Sequence, residues 1–166
     1  MLVSLYRKQN VLIMKKSKAS LPGSHSSSAL NEEQRKVFAS FVSGANLYIT
    51  GKGGSGKSFL TRHIIDYCHQ KGRKALICAP TGIAALNIGG ATIHRTFGAP
   101  ASIIEPGERC RKKNLLEIID AAEVIIIDEI SMCRVDLFEY VANTLLHMKN
   151  RKQLVLVGDF YQLPPV

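Results

Sequence analysis

The residues best suited to chemistry form a glycine-rich run, Gly51–Ser58, which reads GKGGSGKS. The run matches the phosphate-binding pattern GxxxxGK[ST], and it lies between an apolar segment typical of a strand and a helical pattern. Glycines let the backbone curl so that successive amide hydrogens face phosphate oxygens, and the helix start adds partial positive charge. We therefore predict that a nucleotide binds here, with Lys57 on the β- and γ-phosphates and the Ser58 hydroxyl on Mg²⁺. The predicted nucleotide-binding residues of this loop are Gly51, Gly53, Gly54, Ser55, Gly56, Lys57 and Ser58. The alternative is a flexible Gly-Ser loop.

A second candidate is the acidic pair Asp128-Glu129, which follows the apolar run 124–127. In nucleotide hydrolases such a pair places one carboxylate on magnesium and the other on the attacking water. We predict that Asp128 and Glu129 are catalytic and that Asp128 shares the metal with Ser58. The alternative is that the acids begin a helix capped by Ser131.

A third candidate is Gln162, within the run GDFYQLPPV that follows another apolar segment. Its side-chain amide is placed to sense a γ-phosphate, so we predict a catalytic role. Gly-Asp with a double proline is also typical of an ordinary turn.

Two further stretches contain groups that suit a nucleic acid backbone. Thr81 and Gly82 offer a hydroxyl and free amides at a predicted helix start, which favours phosphate binding but also fits a simple N-cap. His94, Arg95 and Phe97 combine an imidazole, a guanidinium and an aromatic ring, the mixture that single-strand binders use for charge and stacking. Packing is the alternative for His94 and Phe97.

The elements that must position these groups alternate between apolar strands and helical patterns. Predicted strands cover residues 47–50, 75–79, 124–128 and 154–157, and predicted helices cover 31–42, 58–70, 82–88, 115–122 and 135–148. Three of the strands (ALICA, VIIID and LVLVG) are apolar almost throughout, as strands buried on both faces require. We therefore predict an α/β fold with a mainly parallel sheet covered by helices on both faces, and ligands at the carboxyl ends of its strands.

Composition limits the class of protein. At 166 residues, with 46% hydrophobic and 21% charged residues, the chain has room for one globular domain, and wholesale disorder is excluded. Five of its 22 basic residues lie in the first 29, which contain no acid, so we predict a disordered basic leader over 1–29 and a domain over 30–166. No apolar run is long enough to span a bilayer, so we expect no membrane partner.

Five segments occur in the order and spacing of the superfamily one DNA helicases of the RecD-like branch. They are LNEEQ, GKGGSGKS, APTGIAALNIGGATIHRTFG, VIIIDEISM and VGDFYQLPPV. Over residues 30–166 the sequence most resembles the Pif helicases. The resemblance implies a RecA-like P-loop domain, the first motor domain of a 5′ to 3′ ATP-dependent DNA helicase that acts in replication, repair or recombination, including telomere maintenance. ATP and Mg²⁺ are the implied cofactors, and single-stranded DNA is the implied partner.

The resemblance also implies roles for single residues. Gln34 would read adenine, although its spacing from Asn31 alone favours a capping box. Gln162 would contact the γ-phosphate. The implied DNA-contacting segments contain Thr81, Gly82, His94 and Phe97.

The sequence ends after the third helicase motif, so a second motor domain, in cis or in trans, is an expected partner. Alternative interpretations are a RecD-like exonuclease-helicase subunit, a transposon-borne helicase fragment and a non-hydrolysing ATP-binding module. The expected location is the cytoplasm in a bacterium, and the nucleus or mitochondrion in a eukaryote.

Overall fold

The computed structural model describes residues 10–13 and 30–159. The strands are β1 (Asn10–Ile13), β2 (Leu47–Thr50), β3 (Ala75–Ala79), β4 (Ala91–Thr92), β5 (Val124–Ile127) and β6 (Gln153–Gly158). The helices are α1 (Glu32–Val42), α2 (Lys57–Gln70), α3 (Gly82–Asn87), α4 (Ile93–Phe97), α5 (Lys113–Ala121) and α6 (Val135–Leu146), with a 3₁₀ turn over Ile130–Met132.

The six described strands form one sheet in the order β1-β2-β6-β5-β3-β4, and every neighbouring pair is parallel. Parallel neighbours need crossover connections, and most of these contain a helix. The prediction of an α/β fold with a parallel sheet is confirmed.

The sheet is covered by helices on both faces, and β5 shows how one apolar strand serves both. Ile125 and Ile127 belong to a buried cluster with residues of α5 and α6, whereas Val124 and Ile126 belong to a second cluster with residues of α1 and α2. Successive side chains of a strand point to opposite faces, so a strand between two helical layers must be apolar at every position. All four residues of β5 are fully buried.

The predicted basic leader contains β1, which pairs in parallel with β2 from Asn10 opposite Leu47 to Ile13 opposite Thr50. The expectation of disorder is therefore wrong for residues 10–13, and the rest of 1–29 lies outside the described residues. The physical reason is that β2 would otherwise present unpaired backbone groups along its outer edge, and the segment NVLI, apolar apart from Asn10, is able to pair with them.

Short elements were also missing from the sequence prediction. Strand β4 has two residues, α4 has five and the 3₁₀ turn has three. Segments this short show no periodicity, so only their tertiary neighbours define them. Among the described residues the longest helix, α2, has 14 residues, and no helix is long and apolar enough to cross a membrane.

Candidate active site

Three strand ends carry charged groups of the candidate site, and the register of the sheet brings these strand ends together. Strand β6 lies between β2 and β5, with Gly158 opposite Thr50 and Leu156 opposite Ile127. The phosphate loop, Asp159 and the acidic pair therefore begin at neighbouring points on the carboxyl edge of the sheet, although they are up to about a hundred residues apart in sequence.

The loop between β2 and α2 takes its shape from glycines with positive φ. Gly54 has φ 76° and Gly56 has φ 88°, conformations that L side chains rarely adopt. A Cβ at Gly56 would also lie 2.6 Å from the Gln34 side-chain nitrogen, whereas one at Gly53 or Gly54 would meet nothing within 4 Å. Gly56 therefore cannot be replaced without moving the loop or Gln34.

Gln34 links the first helix to the phosphate loop. Its Oε1 accepts a hydrogen bond from the Asn31 N–H at 2.9 Å, and the Asn31 Oδ1 accepts one from the Gln34 N–H at 2.8 Å, which completes the capping box. Its Nε2 donates to the Gly56 carbonyl at 3.3 Å. The capping interpretation is confirmed, and the same side chain lies beside the predicted ATP site. The adenine-reading role of Gln34 stays a prediction.

Lys57 is the first residue of α2 and lies largely buried beneath the loop. Its Nζ donates to the Gly51 carbonyl at 2.6 Å and to the Lys52 carbonyl at 3.3 Å, and it lies 3.6 Å from Asp159 Oδ2. Asp159 was not among the sequence-predicted site residues. The sequence signal for it is its position directly after the apolar run 154–157.

The acidic pair adopts an unusual backbone. Glu129 has φ 51° and ψ 40°, and it is the one non-glycine residue with positive φ in the described parts of the chain. Such a conformation costs on the order of 1–2 kcal/mol and is typical of functional sites. Asp128 is buried, and its Oδ1 accepts a hydrogen bond from the Glu129 N–H at 2.9 Å.

Burial raises the pKa of both carboxyls. For Asp128, the Glu129 N–H and the Lys57 ammonium oppose this rise, and for Glu129 the negative charge of Asp128 adds to it. A raised pKa makes a carboxylate a stronger base. Glu129 is therefore suited to accept a proton from water.

The interpretation of Asp128 and Glu129 as helix starters capped by Ser131 is wrong. The acids are followed by the 3₁₀ turn, and α6 begins only at Val135, where Arg134 occupies the N-cap position without a side-chain capping bond. The Ser131 Oγ instead accepts a hydrogen bond from the Asp159 N–H at 3.4 Å. This bond ties the turn that carries Glu129 to the end of β6.

The donor groups at this edge fit a magnesium-bound nucleotide. Within the described residues, Ser55 Oγ and Glu129 Oε2 are buried without a hydrogen-bond partner, and buried polar atoms normally have one. No group of three or more His, Cys, Asp or Glu in the described ranges is arranged to hold a metal by itself. Mg²⁺ at nucleotide sites needs only one or two carboxylates together with substrate phosphates, and Asp128 with the exposed Ser58 hydroxyl meets that need.

The predicted DNA-contacting residues differ widely in exposure. Thr81 Oγ1 accepts a hydrogen bond from the Ala84 N–H at 3.2 Å, so the N-cap interpretation is confirmed. Gly82 is exposed and His94 is half-buried, and their contacts with DNA stay predictions.

Phe97 is 0% exposed, so the packing alternative is confirmed for this residue, and a contact of its ring with DNA stays a prediction. Ile93 and Phe97 are four residues apart and share one face of α4, and both lie in the buried cluster of α5 and α6. That spacing was the signal that would have assigned Phe97 to the core.

Arg95 is exposed on the same short helix. On α3, Ile83 and Leu86 are 77% and 80% exposed, and the sequence did not indicate this exposure. Gln162 lies outside the described residues.

Comparison with known proteins identifies close relatives. The family model described as PIF1-like helicase matches residues 29–166. The ATP-dependent DNA helicase Pif1 of Campylobacter jejuni is 34% identical over 130 residues, covering 73% of this chain and 29% of that protein. The ATP-dependent DNA helicase PIF1 of Candida albicans is 38% identical over 148 residues, covering 82% of this chain and 16% of that protein. The chain therefore spans less than a third of the length of these relatives.

Solved structures agree with this assignment. The Pif1 helicase from Bacteroides in complex with ADP-AlF3 and ssDNA has a TM-score of 0.72 at 34% identity, covering 83% of this chain and 34% of that chain. The Pif1 helicase from Candida albicans has a TM-score of 0.67 at 36% identity, covering 83% of this chain and 34% of that chain. Together with the parallel sheet and the phosphate loop, these matches show that the chain belongs to the PIF1-like helicase family and has the RecA-like fold of its structural relatives.

Proposed function

We propose that this chain is the ATP-binding motor domain of a 5′ to 3′ ATP-dependent DNA helicase. The observation that carries the proposal is the convergence of Lys57, Asp159 and the pair Asp128-Glu129 at the ends of the neighbouring strands β2, β6 and β5. Relatives from several organisms are named ATP-dependent DNA helicases, and the Bacteroides relative was solved with ADP-AlF3 and ssDNA. Both facts support ATP and single-stranded DNA as ligands of this chain.

The phosphate-binding loop and the acidic pair would bind and hydrolyse ATP. The Gly51–Ser58 loop presents amide hydrogens to the phosphates, and Lys57 adds a positive charge next to them. Mg²⁺, held by Ser58 and Asp128, would neutralise charge on the β- and γ-phosphates. Glu129 orients the attacking water and accepts its proton, a role that its raised pKa favours. Gln162 would contact the γ-phosphate, and Gln34 would contact the adenine.

The surface proposed to bind single-stranded DNA lies at the carboxyl ends of β3 and β4. Thr81, Gly82 and His94 are at or near the starts of α3 and α4, and Arg95 adds an exposed positive charge there. Phe97 supports this surface from within the core. A second motor domain, in cis or in trans, would supply the arginines that complete the ATP site, which are worth about a thousandfold or more in turnover.

The experiment that tests the function measures phosphate release from ATP, with and without single-stranded DNA, by this chain alone and together with a second motor domain. We expect slow, DNA-independent release from the chain alone and DNA-stimulated release when the second domain is present. Glu129→Gln should abolish the stimulated release. Glu123→Gln is a matched control, because Glu123 directly precedes the same strand at its opposite, amino end and is exposed.

Two outcomes would contradict the proposal. Failure of the chain to bind ATP with Mg²⁺ would rule out a motor domain. Binding without DNA-stimulated hydrolysis in the presence of a second domain would instead favour a non-hydrolysing ATP-binding module.

A further inference from the structure

Asp159 occupies a distinctive position beside the phosphate loop. It is the first residue after β6 and is 1% exposed, and its Oδ2 lies 3.6 Å from Lys57 Nζ. The pairing of Gly158 with Thr50 sets the end of β6 level with the start of the loop, and the bond from the Asp159 N–H to Ser131 Oγ ties the backbone there. The carboxylate is therefore held next to the lysine by tertiary structure.

The ammonium of Lys57 is surrounded by protein oxygens. It has three N–H donors, and it lies against three acceptors: the Gly51 carbonyl, the Lys52 carbonyl and the Asp159 carboxylate. A phosphate that binds Lys57 must replace one or more of these contacts. The carboxylate is the one acceptor of the three that carries a charge, so it also repels an incoming phosphate, and Asp159 is therefore the main competitor.

The excess of negative charge at this edge of the sheet adds to the competition between carboxylate and phosphate for Lys57. Asp128, Glu129 and Asp159 follow the neighbouring strands β5 and β6, and the positive charge of Lys57 lies close to all three. A phosphate without a metal is repelled by these carboxylates. A phosphate that arrives with Mg²⁺ brings a cation that the same carboxylates attract.

We propose that Asp159 is a specificity-determining residue that competes with phosphate for Lys57 and thereby makes nucleotide binding depend on Mg²⁺. The proposal rests on the proposed ATP-binding function. Asp159 disfavours metal-free ATP and inorganic phosphate, and it has little net effect on ATP with Mg²⁺, because repulsion of the phosphates and attraction of the metal oppose each other.

The test is calorimetric titration of the full chain with ATP, once with Mg²⁺ and once with a chelator. Asp159→Asn keeps the size of the side chain and removes its charge. We expect this variant to bind metal-free ATP about tenfold more tightly than the wild type, since the lysine no longer has a charged competitor. With Mg²⁺ the affinity should change by less than about threefold, because the two effects cancel.

Asp120→Asn is a matched control. Asp120 also lies beside a lysine, with its Oδ1 3.5 Å from Lys152 Nζ, and Lys152 directly precedes β6 at the opposite edge of the sheet. This variant should leave both affinities unchanged. If it alters metal-free binding as Asp159→Asn does, the effect is one of overall charge and the proposal is overturned.

Each remaining outcome also decides the question. Unchanged or weaker binding of metal-free ATP by Asp159→Asn overturns the proposal. If Asp159→Asn does not fold, the same titrations are made with Asp159→Ser, a second neutral variant. The wild type must itself bind ATP at least about tenfold more tightly with Mg²⁺ than with chelator, and equal affinities would overturn the proposal without any variant. A wild type that binds ATP in neither condition contradicts the ATP-binding function, and this inference fails with it.

Discussion

The carboxyl edge of the sheet has two halves that are built differently. In the nucleotide half, at the ends of β2, β6 and β5, charged side chains are buried and contact groups from other elements, as Lys57 and Asp159 do. In the other half, at the ends of β3 and β4, polar side chains act locally. Thr81 and Thr92 cap the helices that follow them, and Arg95 is exposed.

The two halves suit two different proposed ligands, a nucleotide and a DNA strand. A triphosphate is small and highly charged, and buried, prearranged groups interact with it strongly because little water screens them. A DNA strand is long and needs an open surface along which it can be placed. The half at β3 and β4 exposes the guanidinium of Arg95, which suits such a surface, whereas the ring of Phe97 lies in the core.

The largest expected effect tests whether Phe97 belongs to the core. Phe97→Ala should lower the free energy of unfolding by about 3–5 kcal/mol, the usual cost of removing a fully buried aromatic side chain. Chemical denaturation measures this change. Phe97→Leu keeps apolar volume without the ring, so it should preserve most of the stability and all of the DNA affinity. A stable Phe97→Leu variant that loses DNA binding would show that the ring stacks on bases.

The second expected effect tests the nucleotide half. Lys57→Ala should weaken ATP binding in the presence of Mg²⁺ by roughly ten to a hundredfold, because a charge-assisted contact is worth about 1.5–3 kcal/mol. Titration of a fluorescent ATP analogue measures the loss. Lys71→Ala is the control, since Lys71 is exposed at the other end of α2. Equal affinities of Lys57→Ala and the wild type would exclude the phosphate role.

A smaller effect concerns the helix cap at the end of β3. Thr81→Ala should lower the free energy of unfolding by about 1 kcal/mol, since it removes the hydroxyl that accepts from the Ala84 N–H. Thr81→Ser keeps the acceptor and should be close to the wild type. Thermal unfolding compares the three proteins. If Thr81→Ala lost DNA affinity with unchanged stability, the hydroxyl would serve DNA rather than the cap.

The smallest effect tests the exposed cation of α4. Arg95→Ala should weaken single-stranded DNA binding about two- to fivefold, because one contact with a phosphate is lost. The slope of log affinity against log salt concentration should become shallower by about one. Fluorescence anisotropy at several salt concentrations measures both. Arg151→Ala is the matched control, because Arg151 is exposed shortly before β6, at the opposite edge of the sheet. An equal loss in both variants would mean that DNA senses only the net charge.

Much of the nucleotide half was predictable because its signals are local. The spacing of Gly51–Ser58 predicts a phosphate loop, and the buried run 124–127 followed by two acids predicts a metal-binding strand end. The half at β3 and β4 was predicted less well. There the residue types of 92–97 suggest stacking, but the direction of each side chain depends on which face of α4 packs on the sheet.

Periodicity and motif spacing operate over a few residues, and they were enough to predict the α/β class, the order of the main strands and helices along the chain, and the residues of the phosphate loop. Only the folded chain shows that Asp159 contacts Lys57, that Gln34 contacts Gly56 and that Phe97 is buried. These contacts join residues from separate elements. Their relative positions depend on how strands and helices distant in sequence pack into one core, which no local pattern determines.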